Sequence, residues 1–164
     1  MAANKKKDKD KKSESNLIAR NRRARFEYHL HETFEAGIEL KGSEVKSVRD
    51  RKVSIEQCYG RMFGNEIYLV GMNIAAYEPA KNYGHEPTRP RKLLLHKREV
   101  LEIASYIMQP GYTLVPVRMY FRHGYAKIEV AVATGKKQYD KREDIKKRDA
   151  EREMRREVGK GRMM

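Results

Sequence analysis

The chain has 164 residues, which suffices for one domain of ordinary size or a small domain with extensions. Its 37 Lys and Arg outnumber 23 Asp and Glu, and the formal net charge of +14 favours a polyanionic partner, either a nucleic acid or an anionic membrane. A single cysteine excludes a disulfide framework and a cysteine-rich zinc site. The lysine-rich start lacks the apolar segment of a secretion signal, and the longest uncharged stretch, 103–117, is too short to cross a membrane, so we expect a soluble cytoplasmic protein.

The positive charge is concentrated at the two ends of the chain. Residues 1–25 carry a net +7, residues 26–134 carry +2, and residues 135–164 carry +5. Residues 1–15 consist largely of Lys, Asp and Ser, and we predict that they form a disordered basic arm. We divide the rest into a domain over 16–134 and a basic tail over 135–164.

The first predicted element is a short helix over 16–25, with Leu17 and Ile18 facing inward. It leaves four arginines outside, and these surround Asn21. Arginine side chains match the geometry of phosphate groups, so this segment is a candidate RNA contact, with a solvated basic turn as the alternative.

Alternation of polar and apolar residues predicts strands over 28–32 and 34–40, with a bend or bulge at Gly37. A short helix follows over 42–49, with Ser43 as its N-cap. Two further hairpins and one more helix complete the pattern: strands 54–63 and 66–74 around Gly64-Asn65, a helix over 97–108, and strands 112–121 and 125–133 around His123-Gly124. This order predicts a mainly β protein with an OB-like closed antiparallel barrel and about three short helices.

The tail contains no Gly or Pro from Gln138 to Val158, and pairs of opposite charge four residues apart favour a helix there. Its apolar residues are too sparse to hold that helix on the domain, and an isolated helix of this kind is marginal. We therefore predict a tail that becomes helical on binding a partner, with a permanently solvated helix as the alternative.

The sequence has few features typical of an enzyme. His29 and His31 lie two residues apart on a strand and could be metal ligands, but no third ligand has a recognisable spacing. Cys58 lies in an alternating strand, where a buried thiol is expected rather than a nucleophile. Composition thus favours a non-catalytic RNA-binding module without cofactor or metal. A general single-stranded RNA-binding protein and a metal-dependent nuclease remain as alternatives.

Six ordered blocks over about residues 17 to 150 resemble the SsrA-binding protein family, also called small protein B. The blocks are Asn21-Arg22-Arg23-Ala24-Arg25-Phe26-Glu27-Tyr28, Phe34-Glu35-Ala36-Gly37-Ile38, Gly42-Ser43-Glu44-Val45-Lys46-Ser47-Val48-Arg49, Asn73-Ile74, Pro87-Thr88-Arg89-Pro90-Arg91-Lys92-Leu93-Leu94-Leu95 and Gly135-Lys136-Lys137-Gln138-Tyr139-Asp140-Lys141-Arg142.

The resemblance implies a bacterial, cytoplasmic, non-catalytic adaptor with an OB-type barrel. Members of this family bind the tRNA-like domain of transfer-messenger RNA and deliver it to stalled ribosomes for trans-translation. Their C-terminal tail occupies the vacant decoding site and message channel of the small subunit, against ribosomal RNA. The stalled peptide is then tagged for degradation and the ribosome is rescued.

The resemblance also implies site residues. The RNA-binding positions of the family fall on Asn21, Glu35 and Leu94, and their charge makes Arg22, Lys46 and Lys92 candidate phosphate partners. Glu35 has a rival role in orienting an arginine or capping a neighbouring backbone group, and Leu94 could be a core residue.

In the tail, the ribosome-contacting residues are expected to be Lys136, Lys137, Tyr139, Asp140, Lys141 and Arg142. Tyr139 stands where histidine is frequent in the family. Because an aromatic ring can still stack on a base, we expect its function to be retained.

Overall fold

The structure is a computed structural model and describes residues 16–80 and 84–161. The predicted basic arm over 1–15 therefore lies outside the described residues. In that part of the chain the strands are β1 (Leu17–Arg20), β2 (Tyr28–Ile38), β3 (Val53–Ser54), β4 (Tyr59–Phe63), β5 (Glu66–Val70), β6 (Asn73–Ile74), β7 (Arg91–Leu94), β8 (Tyr112–Arg122) and β9 (Tyr125–Gly135). The helices are α1 (Ala24–Glu27), α2 (Gly42–Arg49), α3 (Lys97–Ile107) and α4 (Gln138–Gly161), and a 3-10 turn covers Glu78–Ala80.

The main sheet closes on itself. Its strand order is β1-β8-β4-β5-β7-β2-β9, and a further pairing of β8 with β9 joins its ends into a ring of six antiparallel strands with β1 attached to β8. The small strands β3 and β6 pair separately. The ring confirms the prediction of a mainly β protein, and its assignment to the OB class stays a prediction.

The apolar core fills the ring, because alternate residues of each strand point inward. α3 contributes Ile103, which is fully buried, and α2 contributes Val48. Strand residues supply most of the remaining core: Phe34, Ala36, Ile67, Leu69, Leu93, Leu114, Met119, Ile128, Val130 and Val132. The outward residues of the same strands are thereby left to form surfaces.

The two predicted hairpin turns are confirmed. Gly64 has a positive φ of 61° between β4 and β5. His123 and Gly124 have φ values of 51° and 80° between β8 and β9, as the tightest hairpin turns require. The helices predicted over 42–49 and 97–108 are also present, as α2 and α3.

The predicted helix over 16–25 is wrong. Leu17–Arg20 is β1, which pairs with Tyr120, Met119 and Arg118 of β8, and only α1 from Ala24 onward is helical. The distant partner strand prevails over local helical preference, because a free sheet edge offers backbone hydrogen bonds to an extended segment.

Smaller corrections concern boundaries. The strands predicted over 28–32 and 34–40 are one strand, and its irregularity lies between Leu30 and Thr33 rather than at Gly37. The strands predicted over 54–63 and 66–74 are each divided in two. The N-cap of α2 is Lys41 and not the predicted Ser43. The backbone N–H of Lys41 donates to Glu44 Oε2 at 2.7 Å.

Gly60 allows β4 to pack against β8, and an alanine there is expected to destabilise the protein. A Cβ atom at Gly60 would lie 2.4 Å from Leu114 Cδ2 and 2.8 Å from Leu114 Cβ, inside the core. Overpacking of this kind typically costs about 1–3 kcal/mol of unfolding free energy. Urea denaturation of Gly60→Ala measures it. Gly42→Ala is the matched control, because a Cβ at Gly42 meets no atom within 4 Å, and equal stability of both variants would contradict the packing argument.

Candidate nucleic-acid interface

Asn21 lies in the turn between β1 and α1, and its side chain is engaged inside the protein. It is only 5% exposed; its Nδ2 donates to the carbonyl oxygens of Pro116 at 3.0 Å and Ile55 at 3.4 Å. Its Oδ1 accepts the N–H of Ala24 at 3.1 Å. Asn21 therefore fixes the turn that presents Arg22 to solvent, and its direct contact with RNA stays a prediction.

The four arginines of this segment are exposed, as predicted, although they do not share one helix. Arg20 is the last residue of β1, and Arg22 lies in the turn that follows. Arg23 directly precedes α1, and Arg25 lies within it. Arg23 pairs with Glu27 at 3.4 Å. The segment forms a basic edge beside β8.

Leu94 lies on the outer surface of the ring. Alternation along β7 buries Leu93 at 3% exposure and leaves Leu94 52% exposed, so the core role considered for Leu94 is wrong. Leu94 lies opposite Gly37 of β2, where a Cβ atom would approach Leu94 Cβ to 3.2 Å. Glu35 is two residues before Gly37 and therefore shares this outer surface.

The carboxylate of Glu35 has two protein partners, both on β8. It accepts hydrogen bonds from Arg122 Nη1 at 2.9 and 3.1 Å and one from the Tyr120 hydroxyl. The bond from Tyr120 is the largest influence and lowers the pKa of Glu35; partial burial opposes it and the charge of Arg122 assists it. Glu35 thus contacts an arginine, which is compatible with the rival role that the sequence left open, and its direct contact with RNA stays a prediction.

The two candidate lysines have different surroundings. Lys92 is two residues before Leu94 on β7, and its Nζ forms an ion pair with Glu66, which raises the pKa of Lys92. Lys46 lies on the exposed side of α2, with Nζ 5.1 Å from the centre of the Tyr77 ring. Of the six predicted RNA-binding residues, the structure therefore brings Glu35, Lys92 and Leu94 together on neighbouring strands.

Sequence reasoning missed Arg118, Tyr120 and Arg122, which occupy alternate positions of β8. The Arg118 guanidinium lies 5.4 Å from the centre of the Tyr120 ring and 2.8 Å from Glu129. Alternation in β8 predicts that the three share a face, but only the fold places that face beside Glu35. We call the surface formed by Glu35, Lys92, Leu94, Arg118, Tyr120 and Arg122 the β2 face.

The first residues of the tail are fixed to the domain. The Lys136 N–H donates to the Glu27 carbonyl at 2.9 Å, and Lys136 Nζ donates to the Arg25 carbonyl at 2.9 Å. Asp140 lies 3.4 Å from His29 Nε2. Of the predicted ribosome-contacting residues, Lys136 and Asp140 thus contact the domain, Lys141 is half-buried, and three are exposed: Lys137, Tyr139 and Arg142.

The tail is helical from Gln138 to Gly161, three residues beyond the predicted end. Its apolar side chains are exposed: Tyr139, Ile145, Met154 and Val158. The helical prediction is confirmed, and its dependence on a partner stays a prediction.

The candidates for catalysis are engaged within the protein. His31 Nε2 lies 2.9 Å from Thr134 Oγ1. Cys58 is buried, as predicted; burial raises its pKa to about 12, and its Sγ donates to the Ile55 carbonyl at 2.9 Å. Over residues 16–80 and 84–161, no three His, Cys, Asp or Glu side chains form a group suited to a metal ion.

A ring of strands, an outer face with three cations and one aromatic residue, and a basic C-terminal helix together define a small β protein of the RNA-binding class. The family model described as SmpB protein matches residues 18–160. The chain therefore belongs to the SmpB family of SsrA-binding proteins.

Similar proteins agree with this assignment. The SsrA-binding protein of Geobacillus thermodenitrificans is 46% identical over 145 residues, which cover 88% of this chain and 94% of the relative. That of Caldanaerobacter subterraneus is 49% identical over 143 residues, covering 87% and 90%. A chain in the solved structure described as "tmRNA-SmpB: a journey to the center of the bacterial ribosome" is 46% identical with a TM-score of 0.62, covering 73% of this chain and 85% of that chain.

Where the structure describes the chain, it contains no helix with the length and apolar character needed to cross a membrane.

Proposed function

We propose that the protein is a cytoplasmic, non-catalytic adaptor that binds the tRNA-like domain of transfer-messenger RNA and delivers it to stalled ribosomes for trans-translation. The observation that carries the proposal is the β2 face. There, Leu94 is half exposed beside Lys92 and near Glu35. The resemblance to the family implies RNA-binding positions at Glu35 and Leu94, and the charge of Lys92 makes it a candidate phosphate partner. The names and the solved structure of the relatives support the choice of RNA.

The β2 face suits a structured RNA. Arg and Lys side chains supply contacts to phosphates, which give affinity without reading sequence. Leu94 is an apolar contact on the same surface, and RNA recognition depends largely on such shape and stacking contacts. Lys92 is held by Glu66 in the free protein, so it would exchange that carboxylate for a phosphate on binding.

We propose a division of labour between the domain over 16–134 and the tail over 135–164. The domain binds transfer-messenger RNA, and the tail places Tyr139, Lys141 and Arg142 in the decoding site and message channel of the small ribosomal subunit. The contacts of Lys136 with Arg25 and Glu27 support a junction at 136–138, because they fix the start of the tail to the domain. Beyond that junction, the exposed side of α4 is available to ribosomal RNA.

Leu94→Ala is expected to weaken binding of the tRNA-like domain by about tenfold, because the proposal makes Leu94 one of the few interface residues whose truncation costs more than about 1 kcal/mol. Because Leu94 is half exposed, the unfolding free energy should change little. Fluorescence anisotropy with labelled RNA measures the affinity. Met154→Ala removes a side chain of similar size and 65% exposure from the tail and is the matched control. Equal affinities of the two variants would contradict the role of Leu94.

The alternative function is general binding of single-stranded RNA, which the net charge of +14 would also support. Titration of the tRNA-like domain and of an unstructured RNA of equal length, each over a range of salt, separates the two. The adaptor should prefer the tRNA-like domain at every salt concentration, and equal affinities throughout would refute it. Incubating each labelled RNA with the protein and Mg²⁺ or Mn²⁺ tests the nuclease alternative, since cleavage products would show an enzyme.

A further inference from the structure

We propose that Arg122 contacts the RNA directly and that Glu35 is a positioning residue that acts through Arg122. This inference rests on the proposed function, because it concerns how the β2 face holds RNA. It assigns an RNA contact to Arg122, which the sequence did not indicate, and of the two roles that the sequence left open for Glu35 it selects the positioning of an arginine.

The charge of Glu35 argues against direct recognition of RNA. A carboxylate near phosphate groups is repelled by them, and an ionised carboxylate can only accept hydrogen bonds. Both of its oxygens already accept from Arg122 Nη1, and one also accepts from the Tyr120 hydroxyl. Glu35 is thus occupied by two neighbours on β8, one of which carries the charge that RNA attracts.

Arg122 is placed to use that charge. Its side chain is 57% exposed, and in the described part of the chain its guanidinium hydrogen bonds are all made by Nη1, to Glu35. Nε and Nη2 remain available, and guanidinium nitrogens match the oxygens of a phosphate in pairs. One guanidinium nitrogen of Arg122 is therefore bound to Glu35, while the other two can donate to a phosphate.

A second arginine repeats the arrangement on the same strand. Arg118 is held by Glu129 at 2.8 Å, and its guanidinium lies beside the Tyr120 ring. Arg118 and Arg122 are four residues apart, which corresponds to about 13 Å along a strand. The outer side of β8 thus presents two anchored cations on either side of an aromatic ring, a combination that suits phosphates and bases of one RNA strand.

Anchoring has a physical advantage. A free arginine side chain loses conformational entropy when it is immobilised at an interface, and this loss opposes binding. Glu35 restricts Arg122 before RNA arrives, so the loss on binding is smaller. Glu35→Gln would weaken the hold on Arg122, because the amide has one acceptor oxygen and no charge, although the substitution also removes a negative charge that by itself repels RNA.

A double-mutant cycle tests the proposal. Wild type, Glu35→Gln, Arg122→Gln and the double variant are titrated with tRNA-like-domain RNA at several salt concentrations. We expect each single variant to bind about tenfold more weakly, and the double variant to bind no more weakly than Arg122→Gln. Arg122→Gln should also reduce the slope of log affinity against log salt by about 0.7–0.9, the contribution of one phosphate contact. Arg122→Lys should recover that slope and part of the affinity.

Arg98→Gln is the matched control, because Arg98 is an exposed arginine on α3 and its replacement removes the same charge. Losses that multiply in the double variant would show that Glu35 contacts RNA independently and would overturn the proposal. The proposal would also be overturned if Arg122→Gln bound RNA with the same affinity and the same salt dependence as Arg98→Gln. If the wild type has no preference for tRNA-like RNA, the proposed function fails instead, and the cycle with unstructured RNA still decides the role of Arg122.

Discussion

Glu44→Gln is expected to lower the free energy of unfolding by about 3–5 kcal/mol, because it leaves a buried cation without its counter-charge. Glu44 and Arg91 are both fully buried, and Arg91 Nε donates to Glu44 Oε1 at 2.9 Å. Arg89 Nε and Nη2 donate to the same carboxylate at 2.9 and 2.6 Å. These contacts join α2 to the start of β7. Urea denaturation of wild type and Glu44→Gln at pH 7 measures the difference in the free energy of unfolding.

The effect should depend on pH. Burial alone would raise the pKa of Glu44, but hydrogen bonds from Arg89 and the Lys41 backbone and the charge of Arg91 bring it below its ordinary value of 4.5. A carboxyl group whose pKa is lower in the folded state stabilises the protein above its unfolded pKa, and this contribution disappears as pH falls through the folded pKa. The difference between wild type and Glu44→Gln should therefore be largest near pH 7 and shrink in acid.

Glu66→Gln is the control for this prediction, because it breaks an exposed ion pair, with Lys92, instead of a buried one. Exposed pairs contribute little to stability, so this variant should unfold close to wild type. Equal losses for Glu44→Gln and Glu66→Gln, or a loss at Glu44 that is unchanged in acid, would contradict the account of the buried network.

A chain truncated after Lys137 is expected to bind the tRNA-like domain almost as tightly as the full chain and to support no peptide tagging on stalled ribosomes. The truncation leaves β9 and the backbone contact of Lys136 with Glu27 in place, so the β2 face is preserved. It removes Tyr139, Asp140, Lys141 and Arg142. RNA affinity by anisotropy and tagging in a reconstituted translation reaction measure the two activities separately.

A chain with Met154, Arg155 and Arg156 replaced by alanine provides the control, because it keeps α4 and changes only its distal, exposed part. It should retain more tagging than the truncated chain. A truncated chain that still tags, or one that has lost affinity for the tRNA-like domain, would contradict the proposed division of labour.

The parts of the fold that follow from local chemistry could be predicted from the sequence. The hairpin turns at Gly64 and at His123-Gly124 require positive φ angles that these residues tolerate, and α3 has a clear apolar stripe ended by Pro110. β1 could not be predicted, because Leu17–Arg20 is extended only through pairing with residues about 100 positions away on β8.

The site was predicted unevenly for the same reason. Family motifs indicated Glu35 and Leu94, and charge indicated Lys92, but only the closed ring shows that they share a face with β8. The contact between Glu35 and Arg122 joins residues 87 positions apart, so no local pattern indicates it. The side chain of Asn21 likewise appears as a free polar group in the sequence, whereas it is bonded to Pro116 in the structure.

Photo-crosslinking of the full chain to a 4-thiouridine-substituted tRNA-like domain, followed by mass spectrometry of the crosslinked peptides, tests the central claim most directly. We predict crosslinks in β7 and β8, at Leu94 and Tyr120 and their neighbours. Tyr59 is a built-in control, because it is 43% exposed on β4 and adjoins Gly60, whose partner on β8 is Leu114, six residues before Tyr120. Crosslinks confined to Tyr59 or to α4, with none on the β2 face, would contradict the account.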